Sequence, residues 1–129
     1  MTQPAFDQPD LLFVIDAISN TSAEALDRLE FGVIGFDAET VVTHYNAYES
    51  RAAGLSPQKV LGHPLFTVVA PCMNNFMVAQ RFEDATETGS ELDDTLDYVL
   101  TLRMRPVKVK LRLLASAASA TRYVLVQRR

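Results

Sequence analysis

The chain has 129 residues, 48% of them apolar and 22% charged, with no Trp and a formal net charge of −4. That length suits one compact domain, able to bury roughly two-thirds of its unfolded surface without metals or disulfides. Apolar runs such as residues 11–15 and 65–70 fall far short of the roughly 18 residues of a membrane span, so no membrane insertion is expected. The opening Met1-Thr2-Gln3-Pro4 lacks the basic-then-apolar pattern of a secretory signal. A single cysteine, Cys72, excludes an internal disulfide and fits a reducing cytoplasm, which is the expected location.

In chain order, Pro9-Asp10 opens an apolar stretch, Leu11, Leu12, Val14, Ile15 and Ile18, whose spacing predicts a short helix ending near Asn20. Thr21 or Ser22 can cap a second helix with Ala25, Leu26 and Leu29 on its apolar side. Residues 1–29 are expected to form a cap on a core of residues 30–129. Residues 31–36 and 40–45 read as a hairpin around Asp37-Ala38-Glu39, with the turn type left open because no Asn-Gly is present. Short helical patterns follow from Asn46 to about Leu61, one started by Ser56-Pro57, and Gly62-His63-Pro64 stops them. After an apolar run, Pro71-Cys72-Met73-Asn74-Asn75 interrupts the pattern. Residues 76–88 then predict the longest helix, with Phe76, Ala79, Phe82 and Ala85 on one side and Gly89 at its end.

The last third alternates as strands do. Leu96, Tyr98, Leu100, Leu102 and Met104 share one face, Val107, Val109, Leu111 and Leu113 another, and residues 122–127 make a final strand after a small, polar turn. The order implies an α+β layer arrangement: a five-stranded antiparallel sheet with helices gathered on one side, enclosing one pocket. Basic residues crowd the end of the chain, at Arg103, Arg105, Lys108, Lys110, Arg112, Arg122, Arg128 and Arg129, just after an acidic stretch from Glu83 to Asp97. The chain is acidic overall and lacks interleaved aromatic residues for base stacking, so no nucleic-acid partner is expected. Solvated faces with some cross-strand charge pairing are expected instead.

Little here suggests catalysis. A lone cysteine is by default a small buried hydrophobe, and neither His44 nor His63 has a spacing that places a base on Cys72. Zinc-ligand spacing and a glycine-rich phosphate loop are also missing. No catalytic residue, no metal and no enzyme are expected. Tyr45 and Glu49 are four apart and would share a side if their segment were helical.

Taken together, Tyr45-Asn46-Ala47-Tyr48-Glu49, Pro57-Gln58-Lys59-Val60-Leu61-Gly62 and Val69-Ala70-Pro71-Cys72, in that order and spacing, resemble the photoactive yellow protein family. The resemblance continues through Met104-Arg105-Pro106-Val107-Lys108-Val109-Lys110 to Tyr123-Val124-Leu125-Val126 and covers nearly the whole chain. It implies the PAS fold, a five-stranded antiparallel sheet flanked by helices. It also implies a blue-light photoreceptor with a 4-hydroxycinnamic acid (p-coumaric acid) chromophore bound as a thioester on Cys72, Tyr45 and Glu49 hydrogen-bonding its phenolate. Ile34, Val69, Ala70, Tyr98, Leu100, Met104 and Val126 fall on pocket positions, and the Cys72 amide would bind the chromophore carbonyl. Where the family has a threonine and an arginine at the phenolic end, this chain has Ala53 and Leu55, with Arg51 nearby. A shifted phenol pKa and an altered dark recovery follow as expectations.

A buried phenolate is costly unless hydrogen-bonded, and Tyr45 with a protonated Glu49 would each donate one bond to it. Light-driven isomerisation followed by proton transfer from Glu49 would leave an unpaired buried carboxylate. Such a charge costs several kcal/mol, enough to loosen part of a domain whose stability is on the order of 10 kcal/mol. The N-terminal cap is the expected element to open. The alternative is a PAS sensor or interaction domain without the chromophore, binding another small ligand or a partner. With no kinase, DNA-binding or cyclase pattern present, the signal is expected to pass by contact to a separate signalling protein. The basic sheet face at Lys108, Lys110 and Arg112 leads to an expected monomer or weak dimer.

Overall fold

The computed structural model describes residues 5–101 and 106–128. Two short helices open the chain, α1 (Leu11–Ser19) and α2 (Ala23–Leu26). Each begins where a side chain accepts an otherwise free amide: Asp10 takes the Phe13 N–H, and Ser22, not Thr21, takes the Ala25 N–H, both at 3.2 Å. Strands β1 (Gly32–Phe36) and β2 (Val42–Tyr45) form the expected hairpin. Its loop closes because Asp37 Oδ1 accepts the N–H groups of Glu39 and Val41 at 2.9 and 3.0 Å, while Thr40 takes the left-handed conformation at φ 64°.

The middle holds α3 (Ala47–Ala53), α4 (Pro57–Val60), a π turn at Leu65–Val69, a 3-10 turn at Pro71–Met73, and α5 (Ala79–Thr88). Helix α5 starts at Ala79 rather than at Phe76. Asn75 Oδ1 accepts the N–H groups of Met77 and Val78, at 3.0 and 3.2 Å, and holds residues 75–78 in a turn. Phe76 is therefore 80% exposed instead of lying on the buried side of the helix.

Strands β3 (Leu92–Leu100), β4 (Val107–Ala115) and β5 (Arg122–Arg128) complete an antiparallel sheet of order β2-β1-β5-β4-β3. Strand β3 begins at Leu92, ahead of the expected alternation from Leu96; Leu102 and Met104, expected to continue it, lie outside the described residues. The side-chain alternation of the strands divides the molecule into two cores. Ile34, Leu100, Leu111, Leu113, Val124 and Val126 face the middle helices and turns, and join Val60, Leu65 and Phe82 in the larger core. On the opposite face Val33, Leu114, Tyr123 and Leu125 pack beneath Phe6, Val14, Ile15, Ile18 and Leu26. The N-terminal helices thus cover the outer face, and the helices are not gathered on one side. Every residue of β1 is buried, as a strand between two cores must be.

The outer face is held by an arginine that the sequence places on an exposed basic stripe. Arg112 is 3% exposed. Its guanidinium forks onto Asp93 of β3 with two bonds of 2.9 Å and donates to the backbone carbonyls of Phe6 and Gln8. Its burial follows from register: Arg112 shares a face with Leu114, which the N-terminal segment covers. Among the described residues no helix is long and apolar enough to cross a membrane.

Candidate functional site

Tyr45 is the last residue of β2 and lies opposite Ile34, so it points into the larger core. Asn46 then ends the strand and caps α3. It is 1% exposed, and all of its side-chain hydrogen-bonding capacity is used. Oδ1 accepts from Val33 N at 2.9 Å and Glu49 N at 3.2 Å; Nδ2 donates to the carbonyls of Leu26 at 3.0 Å and Phe31 at 2.9 Å. Glu49, three residues after this cap, has the position from which a carboxylate could reach back to the cap's own amide. That amide is already bonded to the Val33 carbonyl at 3.2 Å, and Glu49 turns elsewhere.

It turns to Arg128, near the end of β5. Nη1 of Arg128 donates to Oε1 at 2.6 Å and Nη2 to Oε2 at 3.0 Å. The two side chains are 2% and 13% exposed, so the ion pair is largely withdrawn from water. Room for the carboxylate comes from Gly32, where a Cβ would lie 2.1 Å from Glu49 Oε1. The resemblance implies a protonated Glu49 facing a ligand; in the structure both of its oxygens accept from a guanidinium that is 79 residues away along the chain. Burial, opposed by nothing as strong, pushes the Tyr45 hydroxyl well above its ordinary range; the charge of Glu49 adds to this and that of Arg128 works against it. Tyr45 is therefore a hydrogen-bond donor at any physiological pH. Burial also opposes the charge on Arg128, but the hydrogen bond and charge of Glu49, with Tyr48 and Tyr45, hold its guanidinium above its ordinary value.

Cys72 sits half-buried on the 3-10 turn, packed against the same core. Its carbonyl accepts from the hydroxyl of Tyr98 and from Nδ2 of Asn75, and Asn75 also donates to the Tyr98 oxygen at 2.7 Å. Asn75 thus does two jobs, fixing the backbone of Cys72 with one end and holding the turn that precedes α5 with the other. Beside it runs a groove of about 720 Å³ whose lining includes Asn75, Met77, Tyr98, Val99 and Val109.

The fold brings the sequence-selected residues together. Ile34, Tyr45, Val69, Ala70, Leu100 and Val126 belong to one buried cluster, and Leu55, Cys72 and Tyr98 are half-buried against it. Ala53 is buried at the end of α3. Met104 lies outside the described residues. Sequence reasoning missed Arg128 as a partner of Glu49, Asn75 as a support of Cys72, and Gly32 as the space for a carboxylate. Asn46 carried a readable signal, since an Asn three residues before a Glu at a strand-to-helix change is a helix start.

A five-stranded antiparallel sheet with a short-helical middle, and a lone cysteine on the turn before its longest middle helix, define a sensory domain of the PAS type. The chain belongs to the photoactive yellow protein family. It is 32% identical over 113 residues to the photoactive yellow protein of Halochromatium salexigens, covering 88% of this chain and 90% of that one. To that of Rhodothalassium salexigens it is 30% identical over 123 residues, 95% of each. Among solved structures, the photoactive yellow protein domain of the sensor histidine kinase Ppr from Rhodospirillum centenum superposes with a TM-score of 0.81 at 33% identity, over 88% of this chain and 98% of that domain. The RpfR PAS domain of Cronobacter turicensis, in complex with BDSF, matches 78% of this chain and 95% of its own at a TM-score of 0.61 and 14% identity, a likeness of fold alone. No protein-family model matches the chain.

Proposed function

We propose that the chain is a non-enzymatic blue-light sensor that carries 4-hydroxycinnamic acid as a thioester on Cys72. The observation that carries this reading is the pairing of a half-buried thiol with a buried polar end, Tyr45 and Glu49, around one apolar cluster. Such a site fits a flat apolar group with an acyl carbon at one end and a phenol at the other. When bound, that group supplies a double bond that isomerises on absorbing light.

The residues of the chain supply the rest. The sulfur of Cys72 forms the thioester by displacing the leaving group of an activated acid, and the thiol proton departs with that group. Asn75 and Tyr98 hold the Cys72 carbonyl, so the attachment point is aimed by two donors on different elements. Tyr45 donates to the phenol oxygen, and Ile34, Val69, Ala70, Leu100 and Val126 keep water from it, while Ala53 and Leu55 occupy the phenolic end without donating. Residues 1–29 act as a cap on the core of residues 30–129, and light loosens that cap. The signal passes by contact to a separate signalling protein in the cytoplasm, from a monomer or weak dimer.

The test is to mix purified protein with activated 4-hydroxycinnamic acid and record intact mass, visible absorbance and response to a blue flash. One adduct, abolished by Cys72→Ser, and a light-induced absorbance change that recovers in the dark are expected. A folded protein of unmodified mass would refute the reading. It would leave a chromophore-free PAS sensor or interaction domain, which the absence of a hydroxyl at Ala53 and the prior engagement of Glu49 by Arg128 favour.

A further inference from the structure

A second cavity, of about 590 Å³, lies between the β1–β2 loop and α5, and it shares no lining residue with the groove beside Cys72. Arg122, the first residue of β5, stands opposite Phe36 of β1 and lines it. Only part of its guanidinium is used. Nη2 donates to Thr86 Oγ1 at 3.0 Å, whereas Nη1 is shut off from water and has no hydrogen-bond partner. A buried donor without an acceptor is uncommon in folded proteins. This one is the more unusual because Asp37, Glu39, Glu83 and Glu87 line the same cavity, yet among the described residues neither they nor Arg122 form an ion pair.

We propose that this cavity binds a free amino acid with an apolar side chain. Glu83, Thr86 and Glu87 are spaced i, i+3 and i+4 and so share one face of α5. The contact of Arg122 with Thr86 therefore stands within one helical turn of two carboxylates. An amino acid carries its ammonium and its carboxylate on one carbon, and that short separation suits the arrangement. With the guanidinium turned toward the cavity, the ligand carboxylate accepts from Nη1 of Arg122, the charge-assisted pairing that guanidinium groups favour. The ammonium donates to Glu83 or Glu87. One turn earlier the same face of α5 carries Ala79 and Phe82, and Phe66 lies across from Phe82 at 6.3 Å between ring centroids, which gives the apolar side chain its place. A lone cation would leave Nη1 without an acceptor, and a lone anion would meet four carboxylates with nothing to offer them. The volume is in the range of roughly 300–1,000 Å³ common for small-molecule sites. This assignment depends neither on Cys72 nor on a chromophore.

Isothermal titration of the full chain tests it, with L-phenylalanine and L-leucine as probes. Phenethylamine, which lacks the carboxylate, and 3-phenylpropanoate, which lacks the ammonium, serve as comparisons. Phenylalanine is expected to bind about tenfold or more tighter than either analogue. Arg122→Gln should erase its advantage over phenethylamine, and Glu83→Gln/Glu87→Gln its advantage over 3-phenylpropanoate. No saturable binding of either amino acid, or equal affinity for one of the analogues, overturns the proposal. Amide shifts on adding phenylalanine locate the ligand without any variant. Shifts centred on residues 37–40 and 82–87 are expected, and shifts centred on Cys72 and Tyr98 overturn it.

Discussion

Replacing Asn46 by Ala removes a single side chain that ties three parts of the molecule together. Four buried backbone groups lose their partner: the N–H groups of Val33 and Glu49 and the carbonyls of Leu26 and Phe31. Each such loss costs about 1–3 kcal/mol when nothing replaces the bond. The vacated space is polar and large enough for a water molecule to recover part of the loss. A net destabilisation of about 3–5 kcal/mol results, of which the helix cap accounts for about 1 kcal/mol. Against a typical stability of about 5–15 kcal/mol this is a large fraction. Urea denaturation followed by far-UV circular dichroism measures it, with the slope expected to stay unchanged while the midpoint falls. Asn46→Asp sharpens the argument, because it keeps both acceptor contacts of Oδ1 but turns the two donor contacts into repulsions between oxygens. It should be at least as destabilising as Ala. A loss below about 1 kcal/mol for Ala, or an Asp variant close to wild type, would refute the claim that this side chain fastens α2 and β1 to α3.

Three further outcomes are expected. Gly32→Ala forces the Glu49 carboxylate to move and should cost about 1–3 kcal/mol; the cost should largely vanish in a Glu49→Ala background, which a thermal-melting cycle on the four proteins measures. Arg112→Gln releases the carbonyls of Phe6 and Gln8 together with the fork to Asp93, so limited proteolysis should cleave the N-terminal segment several-fold faster while the middle of the sheet keeps its amide-exchange protection. Equal protection of that segment in both proteins would count against the clamp. His44 lies against the ring of Tyr123, 5.8 Å between centroids, and burial lowers its proton affinity below the ordinary value of 6.5. The unfolded chain therefore binds more protons than the folded one as pH falls through about 6.5 and below, and the stability present above that value declines on acidification. A modest slope of this sign, missing in His44→Gln, is the expected result of denaturation at a series of pH values.

Much of this protein is readable from residue order because its signals are local. The period-2 alternation of Tyr98 and Leu100, and of Val109, Leu111 and Leu113, assigns each to its face whatever lies above it. Ser22, Asn46 and Pro57 mark helix starts through bonds or dihedral limits that act within three residues. The motifs around Tyr45, Glu49 and Cys72 point to the family, which the relatives bear out. Phe76 shows the limit of such reading. Its spacing fits a helix, yet residues 75–78 form a turn closed by the Asn75 side chain, and the helix starts at Ala79.

What only the tertiary structure decides are the pairings of charged groups distant along the chain. Glu49 and Arg128 meet because the carboxylate lies over Gly32, which pairs with Val126 of β5, and Arg128 follows two residues later on the same strand; Arg112 is buried because the N-terminal segment crosses the outer face at that point. Charge is not a local property in the way that alternation or capping is. The energy of a carboxylate depends on which cation comes within a few ångströms of it and on how much water is excluded. Composition and spacing establish the kind of fold and the residues available to its site; which cation meets Glu49 is decided by a strand that returns to it from the far end of the chain.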